Sequence, residues 1–129
     1  MTFDTIQSKA TVVAATPGAS YDSSVITGDY MIVIRVRDLH STNLTSTPVP
    51  QAVFSIESSV NAFGASVVRK VFELNGAILD ANQSMECKFS VPGREMKNAP
   101  VGTAVDLLRV NLSSLTANTS CEYEAFVIR

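Results

Sequence analysis

The sequence holds one histidine, His40, with Asp38 two residues before it and Ser41 one after. These are the residue types of a nucleophile, a general base and an orienting acid. A relay of that kind needs three groups converging from different parts of a fold, and neighbours along one polar loop cannot aim at one another. His40 is therefore expected as a solvated loop side chain. The chain contains neither a G-x-S-x-G elbow nor the glycine-rich phosphate loops G-x-x-x-x-G-K-[ST] and G-x-G-x-x-G. Cys87 and Cys121 have 33 residues between them, whereas cysteine metal sites want close pairs backed by further Cys or His ligands. They read as two buried thiols behaving as small hydrophobes, with a disulfide between them left open. Glu122 and Glu124 fall on one strand face about 7 Å apart, and read as solvated charges rather than a glycosidase pair. Asp22, Asp29 and Asp38 lack the alternate spacing of an EF-hand, which leaves only an irregular calcium loop open. With no Trp, and Tyr21 the one aromatic that reads as exposed, an aromatic sugar platform is not expected. The expectation is a protein without catalytic residues, metal or cofactor, and not an enzyme.

Something other than chemistry must then organise the chain, and the alternation of apolar residues supplies it. YMIVIRVRD at 30–38 sets Tyr30, Ile32, Ile34 and Val36 on one face and Arg35 and Arg37 on the other. AVFSIESS at 52–59 sets Ala52, Phe54 and Ile56 against Ser55 and Glu57. SMECKFSV at 84–91 sets Met85, Cys87, Phe89 and Val91 against Glu86, Lys88 and Ser90. A one-residue slip there would bury three polar side chains. Residues 66–74 are strand-like, but Arg69 and Lys70 point to opposite faces, so one basic side chain must reach past the core edge. Strands are also expected over 104–112, 119–128 and 10–15, with Phe126 and Ile128 suggesting a second buried face near the end. Turn chemistry at Asn75-Gly76, Pro92-Gly93 and Pro100 to Gly102 separates them. Residues 60–65 and 94–99 have room for one helical turn each. The fold expected is all-β, a single antiparallel sandwich or jelly-roll-like domain over 1–129 with about seven or eight strands.

At 129 residues there is material for one core. Ten Lys plus Arg against twelve Asp plus Glu give a net charge of −2, the wrong balance for nucleic acid or a polybasic membrane patch. No apolar run approaches a membrane span. The opening MTFDTIQSKA carries an acid and a polar run, so no secretory leader is expected. Three stretches break the strand rhythm: an arm or loop at 16–29, a polar connection at 38–51 and a third loop at 92–103. Loops of such length in a small domain are usually functional or disordered. Their apolar residues Tyr21, Val25, Ile26, Leu39, Leu44, Val49 and Met96, rimmed by Arg94 and Lys97, are the candidate partner-binding residues.

Residues 23–63, SSVITGDYMIVIRVRDLHSTNLTSTPVPQAVFSIESSVNAF, and the closing run LLRVNLSSLTANTSCEYEAFVIR at 107–129 resemble small β-sandwich structural proteins of tailed bacteriophages. The likeness covers about half the chain and lies in an early strand that ends near a Gly, the FSIESS strand, and a final hairpin of Arg-Val-x-Leu, a Thr/Asn/Ser turn and alternating apolar residues to the end. The members it resembles are capsid cement, or decoration, proteins. The resemblance implies a virion protein made in the host cytoplasm that binds the outside of an icosahedral head. It further implies a homotrimer at or near three-fold axes that clamps neighbouring major capsid proteins without a cofactor. A tail, fibre or connector protein of the same sandwich type and a carbohydrate- or receptor-binding module are the alternatives.

Overall fold

A computed structural model describes residues 2–23, 26, 28–42, 49–59, 61–78, 84–91 and 107–129. Its strands are β1 (Phe3–Val12), β2 (Tyr21–Asp22), β3 (Tyr30–Ser41), β4 (Gln51–Ser59), β5 (Val67–Asn75), β6 (Met85–Val91), β7 (Leu107–Leu115) and β8 (Thr119–Ile128). They form two four-stranded sheets, ordered β1-β8-β3-β6 and β2-β7-β4-β5, with every pairing antiparallel. First strand pairs with last, second with seventh, third with sixth and fourth with fifth. This nested order is that of a jelly roll.

The core lies between the sheets and follows the alternation of the sequence. Ile32, Ile34 and Val36 from β3, Ala52, Phe54 and Ile56 from β4, Leu108, Val110 and Leu112 from β7, and Tyr123, Ala125 and Val127 from β8 are all buried. Phe54 and Tyr123 meet edge to face across the two sheets, ring centroids 5.1 Å apart, a geometry that adds to the area both rings bury.

Bulges account for most departures from the expected strands. A register shift between Arg37 and His40, with Asp38 at φ 57°, turns Leu39 rather than its neighbours into the core. The connection expected from residue 38 therefore begins later, because β3 runs on to Ser41. Two further shifts, between Thr5 and Gln7 and between Gln7 and Ala10, break the alternation of β1, so the polar-looking opening residues form a ten-residue strand in which only Ile6 is buried. The strand expected at 10–15 accordingly ends at Val12. Residues 61–65 do not form the helical turn for which the sequence leaves room. Ser59 Oγ accepts the N–H groups of Asn61 and Phe63 at 3.1 Å each and donates to Ala65 O at 2.6 Å. Ala62 and Phe63 have φ of 57° and 63°, outside the helical range. Met85, expected inward, is half exposed at the start of edge strand β6.

Part of the stretch expected as an arm is an irregular edge of the second sheet. Thr16 exchanges both backbone hydrogen bonds with Leu112, at 2.9 and 3.1 Å, and Tyr21 pairs with Leu108. Between them Gly18 donates to Asn111 Oδ1 at 2.9 Å. A side chain there would place its Cβ 1.9 Å from the Val110 carbonyl oxygen, so only glycine permits this approach. The final two strands are not a hairpin, since β7 and β8 belong to different sheets. The corner between them is tied to both: Thr116 N–H to Gln51 O at 3.0 Å and Thr42 N–H to Asn118 O at 2.7 Å.

Cys87 and Cys121 are buried and unbridged. Cys87 is level with Ile34, which is level with Ala125, and Cys121 lies four residues further along β8. Strand spacing and rise place their Cα atoms about 16 Å apart, beyond the roughly 7 Å a disulfide spans. The pairing left open by the sequence is thus closed by geometry. Two predictions follow from this packing. Phe54→Ala should lower the unfolding free energy in denaturant titrations by about 3–5 kcal/mol. Thiol titration of the unfolded but unreduced protein should find two free thiols even after production in an oxidising compartment, and a single intramolecular disulfide would contradict the register.

Candidate binding face

Four of the nine residues expected to touch a partner lie among those described, and the structure does not bring them together. Ile26 and Leu39 are core residues, 3% and 0% exposed, so they are not contact anchors. Ile26 N–H bonds Ser23 O at 3.1 Å, and Leu39 reaches the core through the β3 bulge. Val49 is exposed. Tyr21 is half-buried, and its hydroxyl donates to Asp4 Oδ2, which also receives Arg129 Nε at 2.8 Å. This clasp joins β1, β2 and the C-terminal residue. Burial and the adjoining carboxylate push the Tyr21 phenol up to about 12, while the Tyr21 and Arg129 hydrogen bonds hold Asp4 below its ordinary value. Val25, Leu44, Arg94, Met96 and Lys97 lie outside the described residues.

His40 does not assemble a relay. Its Nδ1 is 2.8 Å from the Asp38 carbonyl oxygen and 3.5 Å from Asp38 Oδ1, whereas Ser41 Oγ turns to Asn118 O at 3.4 Å. Burial raises both thiols, Cys121 to about 11, which keeps them protonated. Among the described residues no three His, Cys, Asp or Glu side chains are grouped to hold a metal ion.

A different surface emerges on the outer side of the β1-β8-β3-β6 sheet. Along β3 the outward residues are Met31, Val33, Arg35 and Arg37. The antiparallel register sets them opposite Ile128, Phe126, Glu124 and Glu122 of β8, in that order. One strand runs from apolar to basic and the other from acidic to apolar, so pairing sorts the face into two halves.

In the charged half Arg35 binds Glu86 at 2.9 Å and Glu124 at 3.3 Å, and Arg37 and Lys9 each approach Glu122 at 3.6 Å. The Arg35 hydrogen bond is the main reason Glu86 titrates below its ordinary range. Glu122 and Glu124, expected as solvated charges, are instead rungs of this ladder, 25% and 18% exposed. Arg35 also lies 5.5 Å above the Phe126 ring and marks the boundary.

The apolar half is a groove of about 430 Å³ floored by Val33, Phe126, Met31 and Ile128, with Phe3 on one side and Lys88 and Glu86 on the other. Val33 is 4% exposed although it faces away from the core, and Phe3 is 63% exposed. A second depression of about 710 Å³ continues from Met31 and Ile128 toward Tyr30 and Arg129 at the end of the strands. No protein-family model and no curated protein matches the chain, so the residues themselves carry the reading. The groove has an apolar floor, and its charged lining, Arg35, Glu86 and Lys88, is tied into ion pairs at the rim. It is suited to receive an apolar side chain of another molecule.

Of the groove residues, strand alternation points only to Phe126 and Ile128 as a second buried face, while Met31 and Val33 lie on the outer parity of β3 and join them only through the register with β8. The charges yield a pH prediction. Asp4 and Glu86 are held below their ordinary values of 3.8 and 4.5, so their contribution to stability is complete above that range and is lost as pH falls below it. Tyr21→Phe removes the larger of the two hydrogen bonds on Asp4, and should flatten the acid limb of a stability-against-pH curve. An acid limb identical to that of the unaltered protein would contradict the clasp.

Proposed function

We propose that this protein is a virion structural subunit, a capsid cement or decoration protein that binds the outside of an icosahedral head and clamps neighbouring major capsid proteins. The observation that carries the proposal is the apolar groove on the outer sheet face. It is a contact surface held by two hydrogen-bonded strands, with charge segregated to the other half of the face. The nested eight-strand order supports the reading by analogy, since jelly rolls serve in viral shells, although also in lectins and enzymes. The resemblance of residues 23–63 and 107–129 to phage cement proteins points the same way.

The physical mechanism is stoichiometric binding. A small subunit added to a preformed lattice meets the same surface at every equivalent position, and each contact is repeated by symmetry. Touching two capsid subunits at once turns the second contact into an intramolecular one and raises the effective affinity without new chemistry. The groove takes an apolar side chain of a capsid protein, the ion-paired rim sets orientation, and the shell-bound assembly is a trimer around a three-fold position.

The test is titration of undecorated shells followed by electron microscopy. Saturable density at one class of symmetry position is the expected result, with affinity falling at least about tenfold for Phe3→Ser or Met31→Ser. Protein that stays in solution when shell sites are in excess over it, or binding indifferent to both substitutions, would count against the proposal.

A further inference from the structure

On the outer face of the second sheet, Asn111 is buried although it points away from the core. Its neighbours Val110 and Leu112 turn inward, and Asn111 stands level with Ser55 of β4. It is only 7% exposed, with residues 16–18 running close beside β7 and Gly18 N–H donating to its Oδ1 at 2.9 Å. That bond fixes the amide, so Nδ2 lies on the other side of the group. Nδ2 has no partner among the described residues, and among them no sealed side-chain nitrogen or oxygen is left unpaired. Nδ2 therefore opens onto a depression of about 210 Å³, which Asn111 lines together with Thr16, Pro17, Arg109 and Ser113.

The other lining groups decide what fits. Arg109 directs Nε and Nη2 to Glu57 Oε2, both at 2.9 Å, and its guanidinium lies 4.1 Å from the centre of the Phe63 ring. The carboxylate matches its charge. The ring, carried by the two successive left-handed residues Ala62 and Phe63, holds the guanidinium plane. Arg109 Nη1 has no partner among the described residues. Thr16 Oγ1 donates to Ala14 O at 2.9 Å and Ser113 Oγ to Val53 O at 3.0 Å, so each hydroxyl has committed its one hydrogen and offers only lone pairs. The depression thus presents N–H donors beside oxygen acceptors, with no net charge. A carboxylate or phosphate has no hydrogen for the hydroxyls, and an ammonium has no lone pair for the N–H groups. A hydroxyl both accepts and donates through one atom. Arg109 and Asn111, two residues apart on β7, stand about 7 Å apart, so the ligand needs such groups on more than one side. At about 30 Å³ for each water the depression holds about seven waters, the space of a single sugar ring.

We propose that this depression binds one hexopyranose ring of a neutral saccharide. Asn111 Nδ2 and Arg109 Nη1 donate to ring hydroxyls, Thr16 Oγ1 and Ser113 Oγ accept from them, and Pro17 packs against ring C–H groups. Recognition rests on hydrogen bonds and not on a stacked aromatic platform. A ring of about twelve non-hydrogen atoms, exchanging bonds to water for bonds to protein, is held only in the millimolar range. The site lies on the sheet opposite the groove and does not depend on the capsid reading.

The test is a titration of the isotopically labelled protein with the methyl glycosides of glucose, galactose and mannose to about 100 mM, read by nuclear magnetic resonance. Saturable shifts of the Asn111 side-chain amide and the Arg109 guanidinium are expected with at least one glycoside, with a Kd of about 1–10 mM. Asn111→Asp keeps an oxygen for Gly18 and removes the donor. It should weaken binding about tenfold or more, read on the backbone amides of β7. Ser113→Ala, at an exposed position, should weaken binding about threefold, and it decides the matter if Asn111→Asp does not fold. The absence of saturable shifts with all three glycosides, equal shifts with sodium acetate or acetamide, or binding unchanged in the folded variants would overturn the proposal. Shell binding is scored separately on the Phe3 and Met31 variants, so failure of either proposal is distinguishable from failure of the other.

Discussion

The register of β3 between β8 and β6 is the constraint on which the rest of the structure depends. Its inward residues Ile32, Ile34 and Val36 close the core against the opposite sheet. Its outward residues meet Phe126 and Ile128 at one end and Glu124 and Glu122 at the other. A slip of one residue would expose three fully buried aliphatic side chains and turn two arginines inward. Core and outer face therefore specify the same register twice, and the groove is a by-product of the alignment that seals the interior.

Nesting extends that constraint to the chain as a whole. The two ends meet, with Thr2 and Arg129 exchanging backbone hydrogen bonds at 2.7 and 2.9 Å, and the Tyr21–Asp4–Arg129 clasp draws β2 of the opposite sheet to the same place. Most contacts join residues far apart in sequence, so long loops must be closed before these non-local contacts repay the cost. The outer sheet face is consequently tied down at this corner by backbone pairing and by the clasp together.

How much of this was legible in the sequence differed by element. Residues 30–38, 52–59 and 119–128 alternate cleanly, and each is a strand with the expected inward side chains. β1 was hidden because two bulges scramble its parity, and Leu39 was misplaced because a single left-handed residue, Asp38, shifts parity at the end of β3. Alternation identifies the faces of one strand but not its neighbours. It therefore missed that β7 and β8 part into different sheets, that the cysteines are two strands apart, and that Arg35 and Glu124 are partners. The groove was unreadable for the same reason: its residues are ordinary singly and become a surface only once β3, β8 and β1 lie side by side.

An ion-paired sheet face with one apolar half is the physical basis of the proposed binding role, and everything in that proposal passes through the β3–β8 alignment. Cross-strand nuclear Overhauser contacts in the isotopically labelled protein measure it directly. The account predicts contacts linking Val33 with Phe126 and Arg35 with Glu124, continuous along the strands. Contacts linking Val33 with Ala125 or Val127 instead would place the apolar and charged residues out of step, and would contradict both the core and the face built on it.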